Sequence, residues 1–175
     1  LLVALQCDKY VKKKMELTEE QLNRYSLFEI LSRSRCHKAR LLHYGFERDQ
    51  ILTETTNQNW CSVHTDIGTL SGLTSALWLD EDFRVCPSPD PLCGLYVQDR
   101  NFVDLKISIP EDCIAIQTGK CAEIITGGLI KATPHYVKSS LPSPKKEDWR
   151  SRNTVGVFSQ PDWSHILEKL PETPT

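Results

Sequence analysis

The sequence predicts a mainly β domain of the sandwich or jelly-roll kind, preceded by a helical segment. Three observations carry this reading. Short apolar runs recur from residue 39 onward, turn residues separate them, and no long helical pattern alternates with them. The last point sets aside a parallel α/β sheet, whose crossovers need helices of their own. A length of 175 residues fits one domain with a sizeable core.

Residues 1–38 read as helical. The chain starts without Met, in what looks like the middle of a helix, and reads as a fragment whose N-terminal part is missing. Thr18, Glu19, Glu20 and Gln21 form a capping-box pattern, and Leu22, Tyr25, Leu27, Phe28 and Leu31 follow at roughly helical spacing. The basic stretch 32–40 either continues that helix or crosses to the next element. Residues 40–44 read as a strand that stops at Gly45. Further strands are expected at 60–64, 70–73, 94–98, 102–107, 113–117, 123–126, 129–133 and 154–158. Turn chemistry separates them at residues 99–101, 110–112, 119–120 and 127–128. Residues 80–93 and 138–151, each holding several Pro and charged residues, are expected to be loops at the rim of a site. A short helix is expected at 164–170, with a frayed end at 171–175. The division is thus a helical segment (1–38), a jelly-roll domain (39–163) and a C-terminal tail (164–175).

Composition narrows the function classes. With 21 basic and 23 acidic residues the formal net charge is −2, which gives no case for nucleic acid or an anionic membrane as the partner. No run approaches the roughly 20 apolar residues of a membrane span, and residues 1–5 lack the flanks of a signal peptide. The 7 Cys are odd in number and show no C-x-x-C pair, so scattered thiols in a reducing, cytoplasmic setting fit better than disulfides or structural zinc. A small-molecule partner is expected; oligomeric state is open.

The residues that offer chemistry are few. On a strand, positions i and i+2 share a face, so His64 and Asp66 are expected to reach one metal ion together. A second imidazole is needed, and there are five His in all: His37, His43, His64, His135 and His165. His135, after Pro134 at the end of the run 129–133, is the candidate. Two His and one carboxylate on one face of an octahedron leave positions open for small ligands, the arrangement used by non-haem Fe(II) oxygenases. His43, beside Tyr44 on a strand, should face the other way; His37 and His165 read as surface residues. Arg152 offers a planar fork for a carboxylate, and Thr154, two residues on, adds a hydroxyl on the same side. Alone, either pair is common by chance.

The order H-x-D, distal His, then R-x-T with Phe158 four residues later resembles the 2-oxoglutarate/Fe(II)-dependent dioxygenase superfamily, most closely its isopenicillin N synthase-like branch. The matching text covers RLLHYGF at 40–46, SVHTDIGTLSGLTSALW at 62–78, GLYVQDRN at 94–101, IPEDCIAIQTG at 109–119, TGGLIKATPHYV at 126–137 and SRNTVGVFSQPDW at 151–163. The resemblance implies a double-stranded β-helix with the metal at its open end. It implies iron on His64, Asp66 and His135, and the 2-oxoglutarate tail on Arg152 and Thr154. Tyr44 falls where relatives carry the Tyr of an N-x-Y-P pattern that contacts cosubstrate or substrate. The implied reaction consumes O2 and 2-oxoglutarate, releases succinate and CO2, and oxidises an unactivated C–H bond of a small organic molecule.

Departures are visible. Thr154 replaces the usual Ser, Leu42 and Gly45 replace the Asn and Pro around Tyr44, and the stretch between His135 and Arg152 is long. Arg150 competes with Arg152, which is chosen because Val155, Val157 and Phe158 fit its register. Two other readings stand beside the leading one: an oxidase of the isopenicillin N synthase type that needs no 2-oxoglutarate, and a metal-binding jelly roll without catalysis. A zinc hydrolase lacks a general base near the triad.

Overall fold

A computed structural model of the chain describes residues 1–45, 59–139, 150–168 and 170. Phe46, most of the expected loop at 138–151 and residues 171–175, where a frayed end is expected, lie outside these.

The chain begins with α1 (Leu2–Met15), which ends at Glu16 in the left-handed region (φ 52°). Thr18 then opens α2 (Glu19–Tyr25) with both hydrogen bonds of the capping box, as expected. The helical pattern does not run on as one helix. It breaks at Ser26, whose hydroxyl caps α3 (Leu27–Arg33) by accepting from the Glu29 amide. The cause is long-range: Asp8 of α1, only 5% exposed, accepts from the Ser26 hydroxyl (2.7 Å) and the amides of Leu27 (2.8 Å) and Phe28 (3.0 Å). These are the donors a helix start leaves unpaired, and a buried carboxylate there is stabilised by them.

Among the described residues, nine antiparallel strands form two sheets. The larger holds β1 (Lys38–Tyr44), β9 (Ser151–Ser159), β3 (Leu70–Thr74) and β7 (Ile114–Thr118) in that order, with β4 (Leu77–Leu79) also on β9. The smaller runs β2 (Asn59–His64), β8 (His135–Lys138), β5 (Gly94–Gln98), β6 (Asp104–Lys106). Leu73 from one sheet packs with Leu95 and Val137 from the other, walled by Tyr44, Trp60, Cys61, Ile107 and Ile109. A second core lies on the outer face of the larger sheet, where Leu70 meets Ala4, Leu27, Leu31, Cys121, Ala122 and Ile125. Burying a side chain such as Leu27 or Ile125 contributes about 1.5–3 kcal/mol.

Three expected elements are corrected. Residues 123–126 are not a strand: they continue α4 (Lys120–Ile125), because Gly119 supplies its N-cap and tertiary carbonyls accept its first amides. Residues 129–133 turn without pairing, after Gly127 (φ 60°) and Gly128 (φ 87°) reverse the chain. Residues 163–168 make a turn and no helix, the segment being tied instead by Leu170 N–H donating to the Ile125 carbonyl. β4 was hidden in the sequence by its brevity. The turn at 99–101 forms as expected, with the Asp99 carboxylate accepting from the Asn101 and Val103 amides. All seven cysteines are free. Among the described residues no helix is long and apolar enough to cross a membrane.

Candidate metal centre and anion pocket

His64 and His135 face each other across the β2–β8 ladder as register partners, with ring centroids 4.3 Å apart. Asp66 is not on the strand with His64, as the i, i+2 argument assumed. β2 ends at His64, and Asp66 lies in the following loop. That loop is clamped from outside: Lys120 N–H donates to the Asp66 carbonyl (2.7 Å) and Cys121 N–H to the Gly68 carbonyl (3.0 Å). The unpaired amides at the start of α4 thus hold the acidic residue in place. Only glycine fits at 119, since a Cβ there would lie 2.2 Å from the Gly68 carbonyl oxygen.

The donor atoms of His64, Asp66 and His135 all lie within 4.8 Å of one another, so one ion can touch all three. Asp66 Oδ1 is 3.9 Å from His64 Nε2 and 3.8 Å from His135 Nε2. Both rings are oriented by backbone carbonyls: His64 Nδ1 lies 2.8 Å from Ser62 O, and His135 Nδ1 lies 3.0 Å from Thr133 O. A carbonyl only accepts, so Nδ1 carries the proton and each Nε2 lone pair turns toward Asp66. Burial holds His135 below the usual histidine range, opposed by its bond to Thr133 and by the Asp66 charge. A neutral imidazole is the form that ligates a metal. Asp66 Oδ2 is occupied separately, by the Ser71 hydroxyl and by Gln117 Nε2 at 2.7 Å. The donor set therefore fits a divalent first-row ion.

Arg152, 5% exposed, sits on the inner face of β9 opposite Tyr44. Its guanidinium lies 5.9 Å from the Tyr44 ring centroid, and Tyr44 stacks on Trp60 at 6.0 Å. Burial pulls Arg152 down from the ordinary arginine range and pushes the Tyr44 phenol up. Arg152 Nε is buried with no hydrogen-bond partner, and no carboxylate pairs with the guanidinium among the described residues. It lines a cavity of about 340 Å³ together with Trp78, Leu95, Lys106 and Ile107. An always-charged group buried this way calls for an anion. Thr154 shares the inner face, but its hydroxyl donates to the Thr74 carbonyl at 3.0 Å. Arg150 precedes β9, whereas Arg152 lies on it opposite Tyr44. His43 points to the outer face, 2.7 Å from Asn153 Oδ1, and His37 and His165 are exposed.

Two residues at the triad escaped the sequence reading. Ser71 and Gln117 are register partners on β3 and β7, and both reach Asp66. Their only signal in the sequence is a polar residue on the expected inner face of an otherwise apolar strand.

Two antiparallel sheets close on a His–Asp–His group in a jelly roll, the fold also seen in a 2OG-Fe(II) oxygenase family protein of Caulobacter crescentus. Further solved structures share this fold. The chain matches a full-length Neurospora crassa protein in complex with alpha-KG at TM-score 0.60 and 22% identity, over 83% of this chain and 40% of that one. It matches JOX2 in complex with 2OG, Fe and JA at TM-score 0.60 and 16% identity, over 97% of this chain and 42% of that one. For the dioxygenase for auxin oxidation 1 of Arabidopsis thaliana, in complex with 2-oxoglutarate, the values are 0.55, 17%, 93% and 60%. The chain spans less than two-thirds of each of these proteins. No family model matches the sequence, and no curated protein does.

Proposed function

We propose that this chain is the catalytic part of an Fe(II)- and 2-oxoglutarate-dependent oxygenase. The observation that carries the reading is the convergence of His64 Nε2, His135 Nε2 and Asp66 Oδ1, each oriented by its own hydrogen bond, on one point. When bound there, Fe(II) supplies the activation of O2 that couples decarboxylation of 2-oxoglutarate to oxidation of a C–H bond. The protein's own part is positional. His64 and His135 present neutral lone pairs, and Asp66 contributes the single negative charge. Arg152 accepts the distal carboxylate of the 2-oxoacid, which relieves its unpaired guanidinium. Thr154 adds a hydroxyl contact if it turns away from Thr74. Tyr44, between Arg152 and Trp60, forms the wall that excludes water from that anion.

The substrate is a small organic molecule. Supporting this, one protein of the same fold has been solved with thymine and with 5-formyluracil. The family text around the motifs favours the isopenicillin N synthase-like branch. Residues 39–163 form the oxygenase domain in this reading, with 1–38 a helical segment and 164–175 a tail. Seven free thiols fit a cytoplasmic setting.

The test is spectroscopic. Without oxygen, the Fe(II)-loaded protein is mixed with 2-oxoglutarate, and the visible charge-transfer band of a chelated 2-oxoacid is sought. The expected result is a band that disappears in His135→Ala. Tight iron binding with no band removes 2-oxoglutarate from the proposal.

A further inference from the structure

Gln117 stands beside Asp66 and His135 without being counted among the ligands. Its side chain is half-buried on the inner face of β7, and it is brought to Asp66 by its register pairing with Ser71. The amide nitrogen lies 2.7 Å from Asp66 Oδ2 and 3.2 Å from His135 Nε2. A carboxylate accepts only, so this atom is the NH2 of the amide and not its oxygen. One of its protons goes to Asp66. The nitrogen also lies 3.5 Å from His135 Nδ1, over the face of the ring, so the in-plane Nε2 lone pair that a metal would take is left open.

We propose that Gln117 is a positioning residue that sets the metal affinity of the site, resting on the metal-centre reading above. By engaging Oδ2 together with Ser71, it turns Oδ1 toward both histidines. The bond to the carboxylate is charge-assisted and short, so it holds Asp66 in its ligating orientation before an ion arrives. Partners that orient metal ligands are typically worth 10–100-fold in affinity.

The experiment titrates Co(II), an ion with a geometry-sensitive visible spectrum, into the full chain and into Gln117→Met and Gln117→Ala. Met keeps the unbranched bulk of Gln and removes both donors, so it protects the fold where Ala leaves a gap. Expected are a 10–100-fold weaker Co(II) affinity and an altered visible spectrum in Gln117→Met, with the melting temperature of the metal-free protein little changed. A further expectation is non-additivity with Ser71→Ala, because both side chains hold the same oxygen. Equal affinity and an identical spectrum in Gln117→Met overturn the proposal while leaving the metal site intact. Failure of the unaltered chain to bind Co(II) removes the metal-centre reading itself, and the role of Gln117 with it.

Discussion

The two faces of the larger sheet invert the usual arrangement. Its inner face carries Arg152, Thr154, Ser71 and Gln117, polar groups that are buried or half-buried. Its outer face carries Leu41 (86% exposed), Ile114 (65%), Ile116 (45%) and Val157 (45%). Register pairing makes Val157, Gly72 and Ile116 neighbours there, so the apolar groups form a continuous stripe. At Leu70 the helices cover that face. The smaller sheet differs again. Its outer face is finished by Tyr96 stacked on Tyr136 at 5.1 Å, with the Tyr136 hydroxyl donating to Asp104. The lesson is that burial of polar groups at a cost of several kcal/mol marks the working surface here, whereas the apolar residues follow β-propensity more than burial.

That contrast can be broken most severely at the metal centre. Asp66→Ala and His135→Ala are expected to abolish tight Fe(II) binding, checked by anaerobic titration, because two ligands do not replace three. Next in size is Arg152→Ala. Losing a charge-assisted bidentate contact is expected to weaken 2-oxoglutarate by about 1.5–3 kcal/mol. Iron affinity should not change; a parallel loss of iron would mean that Arg152 only supports the fold. Gly119→Ala acts from the far side of the sheet, by forcing a Cβ against the carbonyls of Gly68 and Asp66. An unfolding curve should show roughly 1–3 kcal/mol of destabilisation, and iron binding should weaken with it because the Asp66 loop moves.

Smaller effects sharpen the outer-face side of the comparison. Tyr136→Phe removes its bond to Asp104 and is expected to cost about 0.5–1.5 kcal/mol near neutral pH. Burial, followed by Asp104, pushes the Tyr136 phenol up to about 12 from an ordinary value of 10.0. The neutral phenol is thus favoured in the folded chain. Its contribution is complete below about pH 10 and is lost as pH rises toward the folded value. Stability against pH should therefore fall between these points in the unaltered chain and less in Tyr136→Phe. Least of all, Leu41→Lys and Ile114→Lys should change stability by within about 0.5 kcal/mol and leave iron binding untouched. A large loss in either would show that the outer face is packed in solution.

Much of this was legible from local chemistry. The capping box at Thr18, the Asp99 turn and the paired glycines at 127–128 depend on a few adjacent residues, and they form as read. The misread stretches depend on distant partners. Residues 123–126 look like a strand because Ile124 and Ile125 are β-branched, but carbonyls of the Asp66 loop accept the helix amides upstream. Ser26 breaks a helical pattern only because Asp8 is delivered from another helix. Likewise the site: His64, Asp66, His135 and Arg152 were found by residue type and order, whereas Gln117 and Ser71 depend on strand register.

The sequence by itself determined which groups could carry chemistry, since imidazole, carboxylate and guanidinium are fixed by residue identity and spaced along the chain in a recognisable order. It also determined the turns and caps, whose hydrogen bonds close within a few residues. Tertiary structure alone decided that Asp66 reaches the histidines from a loop and not a strand, that Arg152 is left unpaired beside Tyr44, and that Gln117 meets Asp66. Each of those contacts joins residues many positions apart. Their geometry is set by how two sheets and α4 pack against one another, which no local pattern encodes.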